Sequence, residues 1–350
     1  MRRELRAAAV RLPDVLAPGT RLVVGFSGGQ DSTCLLHGLC HLRGSLELTA
    51  VHVDHALRAD SSETARQVVD LARAIGVACD VTRIDVAAYR QTLTRASTQQ
   101  AARAARYQAL AVAARQHQAA AVLVAHTADD QAETLLLNLL RGSGLMGLAG
   151  MRMDESVALD KLGPPALEGL APGATLRLVR PLLRVPRVTT LAYCSHFGLG
   201  VIEDASNRSR AYTRNRVRLD VLPLLEQFNP AIRTVLARTA ELAGDDLAAM
   251  DEVVTHLFAR LAHDHQFDLA EFRAQPRALQ RRLLRMGLVA LTGQLTDVPD
   301  APIEDALDLV QTGRAQQTYH LPYGVELCLS RDSFTLRRGG RARARQPRKN

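Results

Sequence analysis

The sequence has no tryptophan, few aromatic residues of any kind (4% of 350) and only two lysines, Lys161 and Lys349. Arginine therefore fills nearly all of the 44 basic positions, and with the many alanines this reads as a genomic bias, not a functional signal. The five cysteines, Cys34, Cys40, Cys79, Cys194 and Cys328, include no C-x-x-C pair. That scatter argues against a disulfide framework or a zinc ribbon and fits free thiols in a reducing cytosol. No stretch approaches ~20 uncharged apolar residues, so no membrane-spanning helix is expected. The N-terminal run MRRELRAAAVRLPDV lacks the continuous apolar core of a secretory signal and reads as an amphipathic helix. Its arginines also match a transit peptide, against which Glu4 and the direct run into the first strand argue. The expected location is the cytoplasm.

The formal net charge is +8, but residues 337–350 (RRGGRARARQPRKN) carry six arginines, Lys349 and no acid, seven of the eight charges. The remainder is nearly neutral. Overall electrostatics thus rest on a basic tail (339–350) that reads as disordered, and any specific RNA site must come from local clusters.

From residue 21, short apolar runs (22–26, 48–53, 77–84 and 121–125) alternate with helical stretches at about 32–42, 61–75, 97–117 and 129–141. This is the pattern of a doubly wound parallel α/β sheet, in which ligands bind beyond the carboxyl ends of the strands. Residues 154–175 are rich in glycine and proline and read as a flexible insertion, followed by an apolar run at 176–183 and a helix near 187–197. A long helix is expected at 230–262, more helices to about 312, and three short strands near 316–321, 324–330 and 333–338. The domains expected are a nucleotide-binding catalytic domain (1–225), a smaller, mainly helical domain ending in short strands (226–338), and the tail.

The first apolar run opens directly onto Ser27, Gly28, Gly29, Gln30, Asp31 and Ser32 (SGGQDS), and a helix follows. Two glycines let backbone N–H groups approach an anion, and the helix N-terminus adds a favourable dipole. The lysine of a Walker A loop is missing. The segment resembles the phosphate loop of the PP-loop ATP pyrophosphatases. There Asp31 cannot serve phosphates directly, which points to Mg²⁺ between them.

Each later apolar run also ends in polar residues. His52 and Asp54 (HVDHALR, 52–58) share one side of an extended chain; they read as positioning an adenosine or ordering a loop, with zinc disfavoured for want of further ligands. Arg103, Arg106 and Tyr107 (AARAARY) share a helix stripe, suited to phosphate contact and base stacking, or else a solvated arginine face with Tyr107 in the core. In HTADDQAET (126–134), Asp130 and Glu133 lie on one face near a helix start, either as a cap or as carboxylates that hold Mg²⁺ or polarise a nucleophile. Arg141 and the glycines after it suit a phosphate contact or closure over the site. Glu203, Asp204 and Asn207 precede Arg210, Arg214, Arg216 and Arg218 (YTRNRVR, 212–218). In a helix Arg210, Arg214 and Arg218 would form one stripe, which repels itself unless carboxylates or a polyphosphate compensate it.

Taken in order, SGGQDS, HVDHALR, AARAARY, HTADDQAETLLLNLLRGSGLMGLAGM, RPLL (180–183) and SN…YTRNRVR resemble the tRNA(Ile)-lysidine synthase family over residues 20–225. That family belongs to the PP-loop, adenine nucleotide alpha hydrolase-like superfamily. Departures are Gln99, Ala205 and Ser209, where the family commonly has an acid, a proline and an aspartate, and the longer insertion at 154–175; they bear on tRNA contacts more than on chemistry. The resemblance implies a ligase that joins free L-lysine to C2 of the wobble cytidine in the CAU anticodon of tRNA(Ile), through an adenylated cytidine. ATP and Mg²⁺ are implied, with a homodimer left open. By the same resemblance Ser27–Ser32, His52 and Asp54 bind ATP, Asp31 and Asp130 hold Mg²⁺, and Asp31, Arg103, Asp130, Glu133, Arg214 and Arg218 are catalytic. Arg106, Tyr107, Arg141 and Arg216 meet RNA. The rival readings are a PP-loop tRNA thiolase, for which the scattered cysteines supply no pair, and a non-catalytic RNA binder, for which the phosphate loop is too complete.

Overall fold

Alternating apolar runs and helices fold into the sheet that their order calls for. The computed structural model describes residues 1–42, 46–57, 60–94, 96–202, 209–210, 212–293 and 298–339, residue 2 by its backbone alone. Arg58, the acidic segment with Glu203, Asp204 and Asn207, and the tail from 340 lie outside the described residues. The chain divides into two compact units, Met1–Asp245 and Asp246–Asn350.

In the first unit, strands β1 (Arg21–Gly25), β2 (Glu47–Asp54), β3 (Ala78–Arg83), β4 (Ala121–Leu123), β5 (Asp154–Ala158) and β6 (Thr175–Val179) form one sheet in the order β3-β2-β1-β4-β6-β5. All neighbours are parallel except β5, which runs antiparallel to β6 at the edge. The helices are α1 (Arg2–Arg11), α2 (Gln30–Cys40), α3 (Ser61–Ile75), α4 (Val86–Gln91), α5 (Thr98–Gln116), α6 (Ala128–Leu140), α7 (Leu145–Leu148), α8 (Arg187–His196), α9 (Thr213–Arg216), α10 (Leu222–Phe228) and α11 (Ile232–Leu261). Successive side chains of a strand point to opposite faces, and β1 shows the result. Leu22 and Val24 pack with Leu5, Leu35, Leu36 and Val68, whereas Val23 packs with Tyr107 and Leu110 of α5. Both faces are covered, so the strands read as continuous apolar runs.

The strand order reverses between β1 and β4. The loop after β1 carries SGGQDS and the loop after β4 leads into HTADDQAET, so the two richest motifs open at the switch-point crevice where such sheets bind ligands.

The segment at 154–175 is not a plain flexible insertion. Its first residues form β5, and charged pairs fasten that edge: Arg177 donates to Asp154 at 2.7 Å and Arg180 to Glu155 at 2.8 Å. A polar edge strand has no apolar alternation to betray it.

The boundary expected near 225 lies ahead of α11, while the compact division falls within that helix. In the second unit α12 (Leu269–Arg273), α13 (Arg277–Thr292) and α14 (Asp300–Thr312) pack on the antiparallel sheet β7-β8-β11-β10-β9. Its strands are β7 (Ala262–His263), β8 (Gln266–Asp268), β9 (Thr318–Leu321), β10 (Val325–Leu329) and β11 (Ser333–Arg338). The last three match the strands expected. The β7–β8 hairpin lies where helix is expected; its strands are too short to show a period and its turn rests on positive φ at Asp264 and His265. Phe267 and Phe334 stack at 4.8 Å in the core of this unit. No described helix is long and apolar enough to cross a membrane.

Candidate active site

Beyond β1 the chain turns through Ser27, Gly28 and Gly29 into α2. Gly28 has φ +76°, and a Cβ there would stand 2.8 Å from Ile202 Cδ1 and 3.1 Å from Val68 Cγ2. Both conformation and space demand glycine. Gly28→Ala is expected to lose about 1–3 kcal/mol of stability and to weaken nucleotide binding; thermal melts with and without ATP check it, and an unchanged melt would remove the constraint. The serines brace the loop. Ser32 Oγ accepts the Ser27 N–H at 3.3 Å and donates to the Gly29 carbonyl at 2.9 Å, with Ser27 Oγ 3.1 Å away. The N-cap of α2 is Gly29, which makes no side-chain cap, and the N-terminal end of a helix dipole favours an anion. Gln30 turns its side chain to α8 instead, donating to the Arg187 carbonyl and to Thr190 Oγ1, each at 3.3 Å. At the base of the loop His52 Nδ1 donates to the Phe26 carbonyl at 3.0 Å, and burial holds this imidazole below its usual pKa. Asp54 is buried and orders its own loop, accepting from the Ala56 N–H at 2.9 Å and Ser61 Oγ at 3.3 Å.

Three carboxylates and three guanidiniums converge beside this loop. Asp31 lies in the first turn of α2, Asp130 and Glu133 in α6, Arg187 opens α8, and Arg214 and Arg218 come from α9 and the wide π turn after it. Arg187 Nε reaches Asp31 Oδ2 at 3.1 Å, its Nη2 reaches Asp130 Oδ1 at 3.0 Å, and its Nη1 lies 3.6 Å from Glu133. Thr190 Oγ1 donates to Asp31 Oδ1. Glu133 is 0% exposed and accepts from Arg214 Nε at 2.8 Å and Arg218 Nε at 2.6 Å. Asp130 divides its oxygens. Oδ2 accepts the Thr127 N–H and hydroxyl at 2.9 and 2.8 Å, capping α6, while Oδ1 faces the arginines. The cap and the site readings of Asp130 therefore both hold. Burial opposes ionisation of Asp130, but the charges of Arg187 and Arg214, with the Thr127 N–H, outweigh it and hold the carboxyl well below the carboxylate range. At Asp31 burial wins over Arg187 and the pKa is raised.

A positive wall lies near this cluster. Arg103 is exposed, yet protein atoms crowd its guanidinium; that desolvation, then the charges of Arg106, Arg180 and Arg214, lower its proton affinity. Arg103 and Arg106 sit 4.7 and 5.6 Å from the centre of the Tyr107 ring, which is 1% exposed. A base has no face of Tyr107 left to stack on, so the stacking role expected of it falls away in favour of core packing. Neither arginine has a carboxylate partner among the described residues. Burial, then Arg106, lowers the pKa of His55 to about 4, and burial holds His126 neutral as well. The Nδ1 atoms of both, with Tyr107 Oη and Arg180 Nε, are buried without hydrogen-bond partners among the described residues. Such atoms call for an explanation, and a bound polar ligand is one.

Residues 3–225 match the PP-loop domain and residues 267–334 the TilS substrate binding domain. A tRNA(Ile)-lysidine synthase of Salinispora tropica is 38% identical, over 99% of this chain and 96% of that one. The chain belongs to the tRNA(Ile)-lysidine synthase family. The family protein of Thermosynechococcus vestitus is 36% identical over 88% of this chain and 84% of its own. Among solved structures, the U34-tRNA thiolase NcsA of Methanococcus maripaludis has a TM-score of 0.55 at 17% identity, covering 70% of this chain and 77% of that one; the likeness is one of fold.

Other expected residues of this lysidine synthase family member lie away from the cluster. Arg141 caps the far end of α6, eleven residues and so about 16 Å along the axis from Asp130. Arg216 is exposed and Arg210 pairs with Asp220 at 3.0 Å, so the three-arginine stripe reduces to Arg214 and Arg218. Regular helix begins only at Thr213, which leaves Arg210 off it. Arg187 and Thr190 were missed. The signal available was an arginine in the first turn of a helix, against the dipole, which is stable there only beside anions. Cys34 and Cys194, 160 residues apart, pack together where α2 meets α8.

Proposed function

We propose that this protein ligates free L-lysine to C2 of the wobble cytidine in the CAU anticodon of tRNA(Ile), at the expense of ATP. The observation that carries the reading is the convergence of Asp31, Asp130 and Glu133 on one spot beside the SGGQDS loop, each paired with Arg187, Arg214 or Arg218. The cytidine O2 attacks the α-phosphate and pyrophosphate leaves; the lysine amine then displaces AMP at C2. The loop backbone and the α2 N-terminus hold the phosphates. Arg103 and Arg106 face the tRNA backbone or the transferring phosphoryl group, where a positive field of fixed groups stabilises developing charge. The neutral imidazoles of His55 and His126 are free to hydrogen-bond a nucleoside. Glu133 and Asp130, acidic groups at the base of the crevice, orient the incoming amine. A loop base is single-stranded, so placing it here costs little unstacking.

The residues present fit Mg²⁺. Asp31 and Asp130 aim hard oxygen donors at one cation, now the Arg187 guanidinium. Among the described residues no group of three His, Cys, Asp or Glu is arranged to hold a metal alone. That is the pattern for an ion shared between one or two carboxylates and substrate phosphates. Asp31 and Asp130 would hold the ion, which would supply positive charge to offset that on the departing pyrophosphate.

Radiolabelled lysine with ATP, Mg²⁺ and tRNA(Ile) bearing CAU is expected to label the tRNA, with one pyrophosphate and one AMP released per lysine. Pyrophosphate release without lysine incorporation would overturn the assignment of lysine as the acceptor's partner.

A further inference from the structure

We infer that Arg187 is a resident counter-ion that occupies the cation position between Asp31 and Asp130 before the nucleotide arrives, and that it moves onto phosphate oxygens when the metal takes its place. The inference rests on the proposed use of Mg·ATP and adds a positioning residue to it. One planar guanidinium bridges both carboxylates, at 3.1 and 3.0 Å, and lies 3.6 Å from Glu133. A guanidinium and a divalent ion cannot share those oxygens, since the ion needs them at about 2.0–2.1 Å with its remaining positions filled by water or phosphate. The charge count leads the same way. Asp31, Asp130 and Glu133 balance Arg187, Arg214 and Arg218, and Mg·ATP brings a net negative charge. A guanidinium released by the metal therefore has a phosphate group as its nearest new partner, and its fork suits one. Arg214 and Arg218 keep Glu133 when Arg187 leaves, with Nε contacts of 2.8 and 2.6 Å.

The backbone is built to let the side chain go while its root stays. The Arg187 N–H donates to Asp129 Oδ2 at 2.7 Å, and its carbonyl accepts from Gln30 Nε2 at 3.3 Å. Asp129 is itself held by Arg233 at 3.0 Å. The one hydroxyl proton of Thr190 is donated to Asp31, so that carboxylate retains a partner after the guanidinium departs.

The test measures Mn²⁺ binding by electron paramagnetic resonance, first with the full chain alone and then with α,β-methylene-ATP. Arg187→Met is expected to bind Mn²⁺ about tenfold more tightly than wild type without nucleotide, and to bind the analogue with Mn²⁺ about tenfold more weakly. Arg187→Lys, which keeps the charge but lacks the planar fork, is expected to tighten Mn²⁺ binding by a smaller factor, and it carries the test if the methionine variant does not fold. Unchanged Mn²⁺ affinity in the folded variants would overturn the inference, as would unchanged analogue binding. Lysine incorporation by wild type separates the two readings. If it occurs while Mn²⁺ affinity is unmoved, only the counter-ion role fails; if it is absent while Mn²⁺ affinity shifts, only the lysine reaction fails.

Discussion

Asp31→Asn is expected to remove ATP-dependent lysine incorporation, lowering kcat/KM by about 10³-fold or more, with stability within about 1 kcal/mol of wild type. The expectation comes from how Asp31 is held. Burial raises its pKa, so the folded protein is not stabilised by its negative charge at neutral pH, and an amide of the same shape still accepts from Thr190. Arg187 retains Asp130 and Glu133 as partners. What the amide cannot supply is an anionic oxygen for a cation at the phosphates. Initial rates of lysine incorporation and of pyrophosphate release, with a thermal melt, decide the matter. Residual activity above about a tenth would show that Asp31 has no part in the chemistry.

Glu133→Gln is expected to damage both stability and activity. Glu133 is fully buried and receives Nε donors from Arg214 and Arg218 with Arg187 close by. Neutralising it leaves guanidiniums short of an anion in a poorly hydrated site, a change that costs about 3–5 kcal/mol when one partner of a buried pair is lost. For a unit of this size each kcal/mol moves the melting temperature by roughly 2–4 °C, so a fall of about 6–20 °C is expected. Lysine transfer should fall about 10²-fold in the fraction that stays folded, because the amine loses a carboxylate and the arginines lose their positions. A melting temperature within about 2 °C of wild type would mean that Asp31 and Asp130 suffice to balance the three arginines. Set beside Asp31→Asn, the pair separates a carboxylate that serves chemistry alone from one that also holds the crevice together.

Particular residues show how far the amino-acid pattern reaches. The apolar runs of β1, β2 and β4 were legible because a strand covered on both faces has no polar alternation to blur it. The SGGQDS loop was legible because glycine at positive φ and an N-terminal hydroxyl are local requirements. β5 and the β7–β8 hairpin were not, since one is a charged edge and the other is too short for a period. At Tyr107 the stripe spacing was right and the outcome depended on burial, which periodicity does not report.

The class of sheet, the positions of the phosphate loop and of the acidic helix start at 127–133, and the family resemblance are all legible in the amino-acid pattern alone. These follow from short-range rules: strand and helix periods, caps and turn conformations. Which charges neutralise one another is set by packing. Arg187 meets Asp31 across 156 residues and Arg218 meets Glu133 across 85, while Arg210, four residues before Arg214, pairs elsewhere. The reversal of strand order between β1 and β4 brings those partners to one crevice. Ionic pairing depends on distance and local dielectric, and both are set by the packed fold rather than by separation along the chain.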